Sequence, residues 1–163
     1  MSKLDISTTR TARAGGEDTG AARQALALPT HFAWPTRVYW EDTDAGGIVY
    51  YANYLKFLER ARTEWLRAAG IEQIPLRDEL GILFVVVDIE ARYRRPARYA
   101  DLLQVTCEVS EFARASLTFE QRIHRDSVDG ELLLESRVRI ACLDAIKYRP
   151  RPLPPALLRE TGE

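Results

Sequence analysis

Hydrophobic and polar positions change their spacing midway along the chain, from a helical period to a strand period. Between Ala52 and Ala69 apolar residues recur at helical spacing, and charged residues are mostly displaced from their stripe. The stripe consists of Tyr54, Leu55, Leu58, Ala61, Trp65, Leu66 and Ala69. The pattern predicts a helix of about five turns. Gly70 stands at its predicted C-terminal cap, and Asn53 is a candidate N-terminal cap.

From Leu83 onward apolar residues alternate with polar ones, which is the period of half-buried β-strands. Four such runs begin near Leu83, Leu103, Leu117 and Leu132, and short polar turns join them. An earlier aromatic and β-branched run predicts a first strand at about residues 36–42. Consecutive strands with short turns favour an antiparallel sheet. One long helix packed against such a sheet gives an α+β fold.

Composition divides the chain into two regions. Residues 1–30 lack sustained periodicity and are rich in Thr, Ala, Gly and Arg, which predicts a flexible N-terminal extension. Residues 31–163 are predicted to form one domain, because a chain of 163 residues with 46% hydrophobic content can bury one core. Prolines after Lys147 end strand pairing and leave room for a short helix at most.

Charge and cysteine usage narrow the range of partners. A formal net charge of -1 gives no bulk attraction to nucleic acid or to an anionic membrane. The chain shows neither a secretory signal nor an apolar run of membrane-spanning length. Cys107 and Cys142 lie in apolar strand runs, where a buried thiol is expected rather than a disulfide or metal ligand. We therefore predict a soluble cytoplasmic protein with no nucleic-acid partner and no integral membrane segment.

The chain lacks the sequence motifs of several enzyme classes. There is no G-x-S-x-G, P-loop, G-x-G-x-x-G or C-x-x-C sequence. The two histidines are His31, before the first strand, and His124, on the polar face of its strand, and both are interpreted as solvated and non-catalytic. A serine–histidine–aspartate hydrolase or a metal site therefore has little to build on. Carboxylates remain as the main candidates.

Three carboxylates, Glu41, Asp42 and Asp44, stand together before two glycines at the start of the predicted helix. The commoner role of such aspartates is an Asx-type turn, in which the side chain bonds to nearby backbone amides. A catalytic role needs a carboxylate near an acyl carbon and donors aimed at its oxygen. A helix start supplies unpaired N–H groups, and the segment 47–51 can present one as an oxyanion donor. The pattern leaves both roles open.

The segment from Glu41 to Arg67, EDTDAGGIVYYANYLKFLERARTEWLR, closely resembles the signature of the YbgC-type, Tol-Pal-associated acyl-CoA thioesterases. It resembles more distantly the D-x-D-x-x-G-x-V-Y pattern of 4-hydroxybenzoyl-CoA thioesterase. Similarity continues through FVVVDIEARYRRPARYADLL, SLTFEQRI and KYRPRPLP, and covers about residues 33–155. The resemblance implies the hotdog fold, a curved antiparallel sheet wrapped around one long helix, assembled as a homodimer or homotetramer. It implies hydrolysis of a short-chain or aromatic acyl-CoA to the free acid and CoA, with no metal and no organic cofactor.

The resemblance also assigns site residues. Asp44 matches the second aspartate of D-x-D, the catalytic carboxylate of the family, which acts as nucleophile or general base. Tyr51 matches the position whose backbone N–H polarises the thioester carbonyl, although many YbgC-type members have histidine there. Gly47 and Tyr50 are candidate substrate-binding residues, because glycine lets a ligand approach the main chain and Tyr50 is close to Asp44 in sequence.

Basic residues are candidate contacts for the phosphates of CoA. Arg92, Arg94 and Arg95 are the preferred ones, and the wider cluster adds Arg98, Lys147, Arg149 and Arg151. A solvated charged surface is the competing interpretation.

Two other functional classes compete with hydrolysis. One is a non-catalytic hotdog module that binds acyl-CoA or an acyl carrier protein, positioned at the periphery of the inner membrane. The other is a hotdog hydratase or dehydratase, which usually needs a histidine paired with an acid. The isolated His31 and His124 disfavour that second class.

Overall fold

The chain forms a five-stranded antiparallel sheet with a long helix against one face. The computed structural model describes residues 28–158. Its elements are β1 (Phe32–Arg37), a 3-10 turn (Trp40–Asp42), α1 (Asn53–Ala68), α2 (Gln73–Leu80), β2 (Ile82–Tyr93), β3 (Leu102–Ala113), β4 (Ser116–Arg125), β5 (Leu132–Asp144) and α3 (Pro155–Leu158). The α+β class, the long helix and the four later strands are confirmed. Residues 1–27 of the predicted extension lie outside the described residues, so its flexibility stays a prediction.

The strands follow the spatial order β1-β3-β4-β5-β2, and every neighbouring pair is antiparallel. The sheet therefore has β1 and β2 at its two edges. Pro35 lies within β1, which suits an edge strand because proline has no N–H to donate to a neighbouring strand. Among residues 28–158, β2 pairs only with β5, and a register shift near Val86 and Asp88 bends it.

One face of α1 forms much of the core. Phe57, Leu58, Ala61 and Trp65 are almost fully buried, and the Trp65 ring meets the Phe119 ring edge-on with 5.2 Å between centroids. The buried face differs from the predicted stripe in one respect. Leu55 is exposed, and Phe57 is buried in its place.

The two ends of α1 differ. At the C-terminal end Gly70 has φ +73°, its N–H donates to Arg67 O at 2.8 Å, and Ile71 N–H donates to Leu66 O at 2.9 Å. These two bonds form a Schellman motif, so the predicted role of Gly70 is confirmed. The predicted N-cap is wrong. Ala52 occupies the cap, and the Asn53 side chain instead donates from Nδ2 to Asp42 O at 3.0 Å.

The predicted first strand at 36–42 is also wrong, because β1 ends at Arg37. The Trp40–Asp42 turn follows, in which Asp42 Oδ2 accepts the Tyr39 N–H at 2.8 Å and Thr43 N–H donates to Trp40 O at 3.1 Å. Such local bonds compete with a β-ladder for the same backbone groups. They outweigh the strand preference of the aromatic residues here.

Both cysteines are buried free thiols, as predicted. Burial raises the pKa of Cys107 to about 12, so its thiol remains protonated near neutral pH. A protonated, buried thiol is a poor nucleophile. Within residues 28–158 no helix has the length and apolar character needed to cross a membrane.

A buried polar contact ties α1 to β4. Arg62, only 9% exposed, donates from Nη1 to Gln121 Oε1 at 2.8 Å, and Gln121 Nε2 donates to Leu58 O at 3.1 Å. Burial lowers the pKa of the Arg62 guanidinium because the charged form loses hydration. Gln121 therefore supplies an acceptor that this buried charge needs.

Replacing Gln121 by leucine should leave the buried guanidinium of Arg62 without that acceptor. We expect Gln121→Leu to lower the free energy of unfolding by about 3 kcal/mol, and Arg62→Met combined with Gln121→Leu to regain most of the loss. Urea unfolding measures both. Gln104→Leu, on neighbouring β3 and without a described side-chain hydrogen bond, is the matched control. Wild-type stability of Gln121→Leu would show that the contact contributes nothing.

Candidate active site

The chain between Thr43 and Val49, called here the Asp44 loop, is a tight turn closed by a backbone bridge between these two residues. Asp44 N–H donates to Ile48 O at 3.0 Å, and Gly47 N–H donates to Asp44 O at 3.0 Å. Gly47 has φ +72°, a conformation that favours glycine. The loop geometry thus fixes the backbone of Asp44.

The two carboxylate oxygens of Asp44 have different environments. Oδ1 accepts the Gly46 N–H at 2.8 Å, which is an Asx turn. A Cβ atom at position 46 would lie 3.0 Å from this oxygen, so glycine suits the position. Oδ2 has no hydrogen-bond partner in the described part of the chain, and Asp44 is exposed. One oxygen is therefore structural and the other is available to a ligand.

The backbone just before α1 carries an unused donor. Tyr50 N–H donates to Asp42 O at 2.9 Å and Asn53 N–H donates to Tyr50 O at 2.8 Å, which makes residues 50–53 a β-turn. The N–H of Tyr51 has no acceptor among residues 28–158. A free N–H at the positive end of a helix suits a developing negative charge.

The acidic residues have distinct roles. Asp42 is buried, its side chain accepts the Tyr39 N–H, and its carbonyl accepts from Tyr50 and Asn53. Glu41 is exposed and has no described ion pair. Asp42 therefore supports the turn, and Asp44 is the carboxylate that combines a fixed backbone with an available oxygen.

Tyr93 and Ala97 form hydrogen bonds that support the site. The sequence patterns did not predict a role for either residue. Tyr93 Oη donates to Tyr51 O at 2.9 Å. Val49 N–H donates to Ala97 O at 2.9 Å, and Ala97 N–H donates to Tyr54 Oη at 2.9 Å. Burial raises the pKa of Tyr54, so its hydroxyl stays protonated. Ala97 thus connects the Asp44 loop with the first turn of α1.

Tyr50 is next to the available carboxylate. Its ring lies 4.7 Å from the Tyr51 ring, and both side chains are exposed. The neighbouring Tyr51 phenol raises the pKa of Tyr50, and the charge of Asp44 adds to the effect. The Tyr50 hydroxyl is therefore protonated at neutral pH.

The predicted phosphate contacts lie at the end of β2 or just after it, and the Tyr93–Tyr51 bond brings that end of the strand to the site. Each forms an ion pair: Arg92 with Glu90 at 2.8 Å, Arg94 with Glu135 at 2.7 Å, and Arg95 with Glu131 at 3.7 Å. Arg94 holds the pKa of Glu135 below its usual value. Their role toward CoA stays a prediction.

The structure separates the two halves of the basic cluster. Arg151 Nη1 donates to Leu80 O at 2.6 Å, at the beginning of β2. The twelve residues of β2 span roughly 36 Å. Within one chain, Arg151 and its neighbours Lys147 and Arg149 therefore lie far from Arg92, Arg94 and Arg95.

The histidines do not belong to the Asp44 loop. His31 and His124 line a groove of about 600 Å³ to which no residue of that loop contributes. His124 Nδ1 lies 3.1 Å from Gly130 O. Among the described residues, no group of three or more His, Cys, Asp or Glu side chains is arranged to hold a metal ion.

Comparison with known proteins matches this sequence to one family. Residues 38–160 match the thioesterase-like superfamily. The chain is 44% identical to the acyl-CoA thioester hydrolase YbgC of Escherichia coli O6:H1 over 131 residues, 80% of this chain and 96% of the relative. It is 45% identical to the acyl-CoA thioesterase YbgC of Haemophilus influenzae over 127 residues, 78% of this chain and 91% of the relative.

A solved structure supports the same assignment. A probable thioesterase from Bartonella henselae superposes with a TM-score of 0.71 at 34% identity, covering 76% of this chain and 99% of that one. The hotdog fold expected from the signature segment is thereby confirmed.

Proposed function

The chain belongs to the thioesterase-like superfamily as a YbgC-type acyl-CoA thioester hydrolase, and we propose that Asp44 carries out its chemistry at the start of α1. Two observations carry this proposal: Asp44 has an available oxygen, and Tyr51, seven residues later in the chain, has a free N–H among the described residues. The two groups are separated by a loop whose backbone bonds hold both in place.

In the proposed reaction, the thioester carbonyl oxygen accepts the Tyr51 N–H, which stabilises the negative charge that develops on it. Asp44 either attacks the carbonyl carbon, giving a mixed anhydride that water opens, or removes a proton from the attacking water. Both routes yield the free acid and the thiol of CoA. CoA enters as part of the substrate, and the proposed reaction uses no further cofactor.

We propose short-chain or aromatic acyl groups as substrates. The exposed rings of Tyr50 and Tyr51 border the Asp44 loop and offer aromatic surface to a small planar or compact acyl group. A cytoplasmic location fits the two free, buried thiols. An acyl carrier protein remains a second candidate acyl donor, because the proposed chemistry acts on the thioester and not on the carrier.

Removing the charge of Asp44 should abolish most turnover. We expect Asp44→Asn to lower kcat/KM by at least about 100-fold, because neither attack nor proton removal remains. Thiol release from short, long and aromatic acyl-CoAs measures the loss. Glu41→Gln, which neutralises an exposed neighbouring carboxylate, is the matched control and should retain activity. Near wild-type turnover by folded Asp44→Asn would refute the mechanism, and saturable binding without thiol release by the wild type would favour a binding module.

Proline at position 51 tests the backbone donor. Tyr51 is the second residue of the 50–53 turn, where proline is well tolerated, and proline has no N–H. We expect Tyr51→Pro to lower kcat by a factor of about 10² to 10³. Tyr51→His keeps the N–H and introduces the residue of many relatives, so it should lose far less. Equal losses in the two variants would assign the effect to the side chain.

The free edge of β2 supports the proposed homodimer. Val86, Val87 and Ile89 are exposed along this twelve-residue strand. Long apolar sheet edges are usually covered, and antiparallel pairing of two β2 strands about a two-fold axis would cover both. Two such dimers could then associate as the homotetramer that the resemblance also allows.

Charges on this edge should separate the protomers. We expect Val87→Lys combined with Ile89→Lys to convert the wild-type oligomer to monomers, since lysines on an edge oppose strand pairing. Light scattering on eluting protein gives the mass. Val128→Lys, an exposed valine between β4 and β5, is the control. An unchanged mass in the double variant would place the interface elsewhere.

A further inference from the structure

Two exposed aromatic rings stack on each other beside the site. The rings of Trp40 and Tyr99 have centroids 4.1 Å apart and planes 15° from parallel, yet the residues are 70% and 47% exposed. The stack covers one face of each ring, and much of both residues remains open to solvent. Exposed aromatic surface of this kind commonly marks a binding site.

Both rings stand on backbone that is held by hydrogen bonds. Thr43 N–H donates to Trp40 O at 3.1 Å, and its hydroxyl donates to the same oxygen at 2.9 Å. On the other side, Arg98 N–H donates to Asp101 Oδ2 at 2.9 Å, and Ala100 N–H donates to Val38 O at 3.1 Å. A platform fixed before binding loses little conformational freedom when a ligand docks.

The stack lies within reach of the reacting groups. Trp40 is four residues from Asp44, a length of chain that spans at most about 14 Å. Tyr99 is two residues from Ala97, whose carbonyl accepts the Val49 N–H of the Asp44 loop. The stack is therefore near enough to Asp44 for one extended ligand to contact both.

Positive charge borders the stack. The guanidinium of Arg98 is exposed and has no ion pair or hydrogen bond to any of residues 28–158. Arg37 donates from Nη1 to Ala100 O at 2.8 Å and has no described carboxylate partner. Asp101, two residues after Tyr99, is paired with Arg125 at 3.0 Å. Next to Trp40 in the chain, the exposed acid is Glu41.

We propose that the Trp40–Tyr99 stack docks the nucleobase of the CoA portion of the substrate, with Arg98 and Arg37 facing its phosphates. The inference rests on the proposed function, since it takes an acyl-CoA as the substrate. A nucleobase on an aromatic side chain contributes about five- to 150-fold in affinity. Guanidinium groups suit phosphate oxygens.

Substrates with and without the nucleotide test the inference. An acyl-pantetheine carries the same thioester as the acyl-CoA but lacks the nucleobase and its phosphates. We expect Trp40→Ala to lower the ratio of kcat/KM on acyl-CoA to kcat/KM on acyl-pantetheine by about tenfold. Arg98→Gln should lower it several-fold, with a larger effect at low salt. Tyr148→Ala removes a 66% exposed tyrosine after β5 and should leave the ratio unchanged.

The outcomes separate the inference from the proposed function. An unchanged ratio in Trp40→Ala, or equal losses on both substrates, would overturn the docking platform. A change in oligomer mass in Trp40→Ala would assign the stack to a protein interface instead. A wild type that cleaves neither substrate would refute the proposed function alone. In that case, quenching of tryptophan fluorescence by CoA, present in the wild type and lost in Trp40→Ala, would still support the platform, and no quenching would overturn it.

Discussion

The backbone of Ala97 is the point on which the geometry of the site depends. Its carbonyl accepts from Val49 in the Asp44 loop, and its N–H donates to the Tyr54 hydroxyl on α1. Ala97 is fully buried, so water cannot replace either bond without opening the core. Arg125 holds the same segment by donating to Pro96 O at 2.8 Å. A shift of Ala97 would change the distance between the carboxylate and the helix start together with the packing beneath them.

The obvious capping side chain at the start of α1 is used elsewhere. An asparagine cap would satisfy one of the first N–H groups and contribute about 1 kcal/mol. Asn53 instead bonds to the Asp42 carbonyl, which stabilises the turn on which the Asp44 loop rests. The helix thereby forgoes a side-chain cap, and the Tyr51 N–H, which precedes the cap position, has no acceptor among residues 28–158. Departures of this kind from local rules concentrate at functional sites.

Periodicity was sufficient to predict the elements, because burial of one face imposes a repeating pattern on each of them. The α1 helix and the four later strands follow from that constraint, and the Gly70 cap follows from glycine's tolerance of a positive φ. The end of β1 and the role of Asn53 do not, since both depend on individual side-chain hydrogen bonds. The Tyr93–Tyr51 contact joins residues 42 apart and leaves no periodic signal. The signature segment identified Asp44 and Tyr51 as candidate site residues, but it did not identify the residues that hold them in place.

The Asx turn and the catalytic role of Asp44 are compatible, because they use different oxygens of the same side chain. A carboxylate on an exposed loop would sample several rotamers, and each reaction would have to select the productive one. The bond from Gly46 N–H to Oδ1 restricts that rotation and leaves Oδ2 without a partner among the described residues. Glycine at position 46 permits the close approach, since a Cβ there would contact Oδ1. The structural bond thus becomes a condition for the chemistry, because it orients the oxygen that acts.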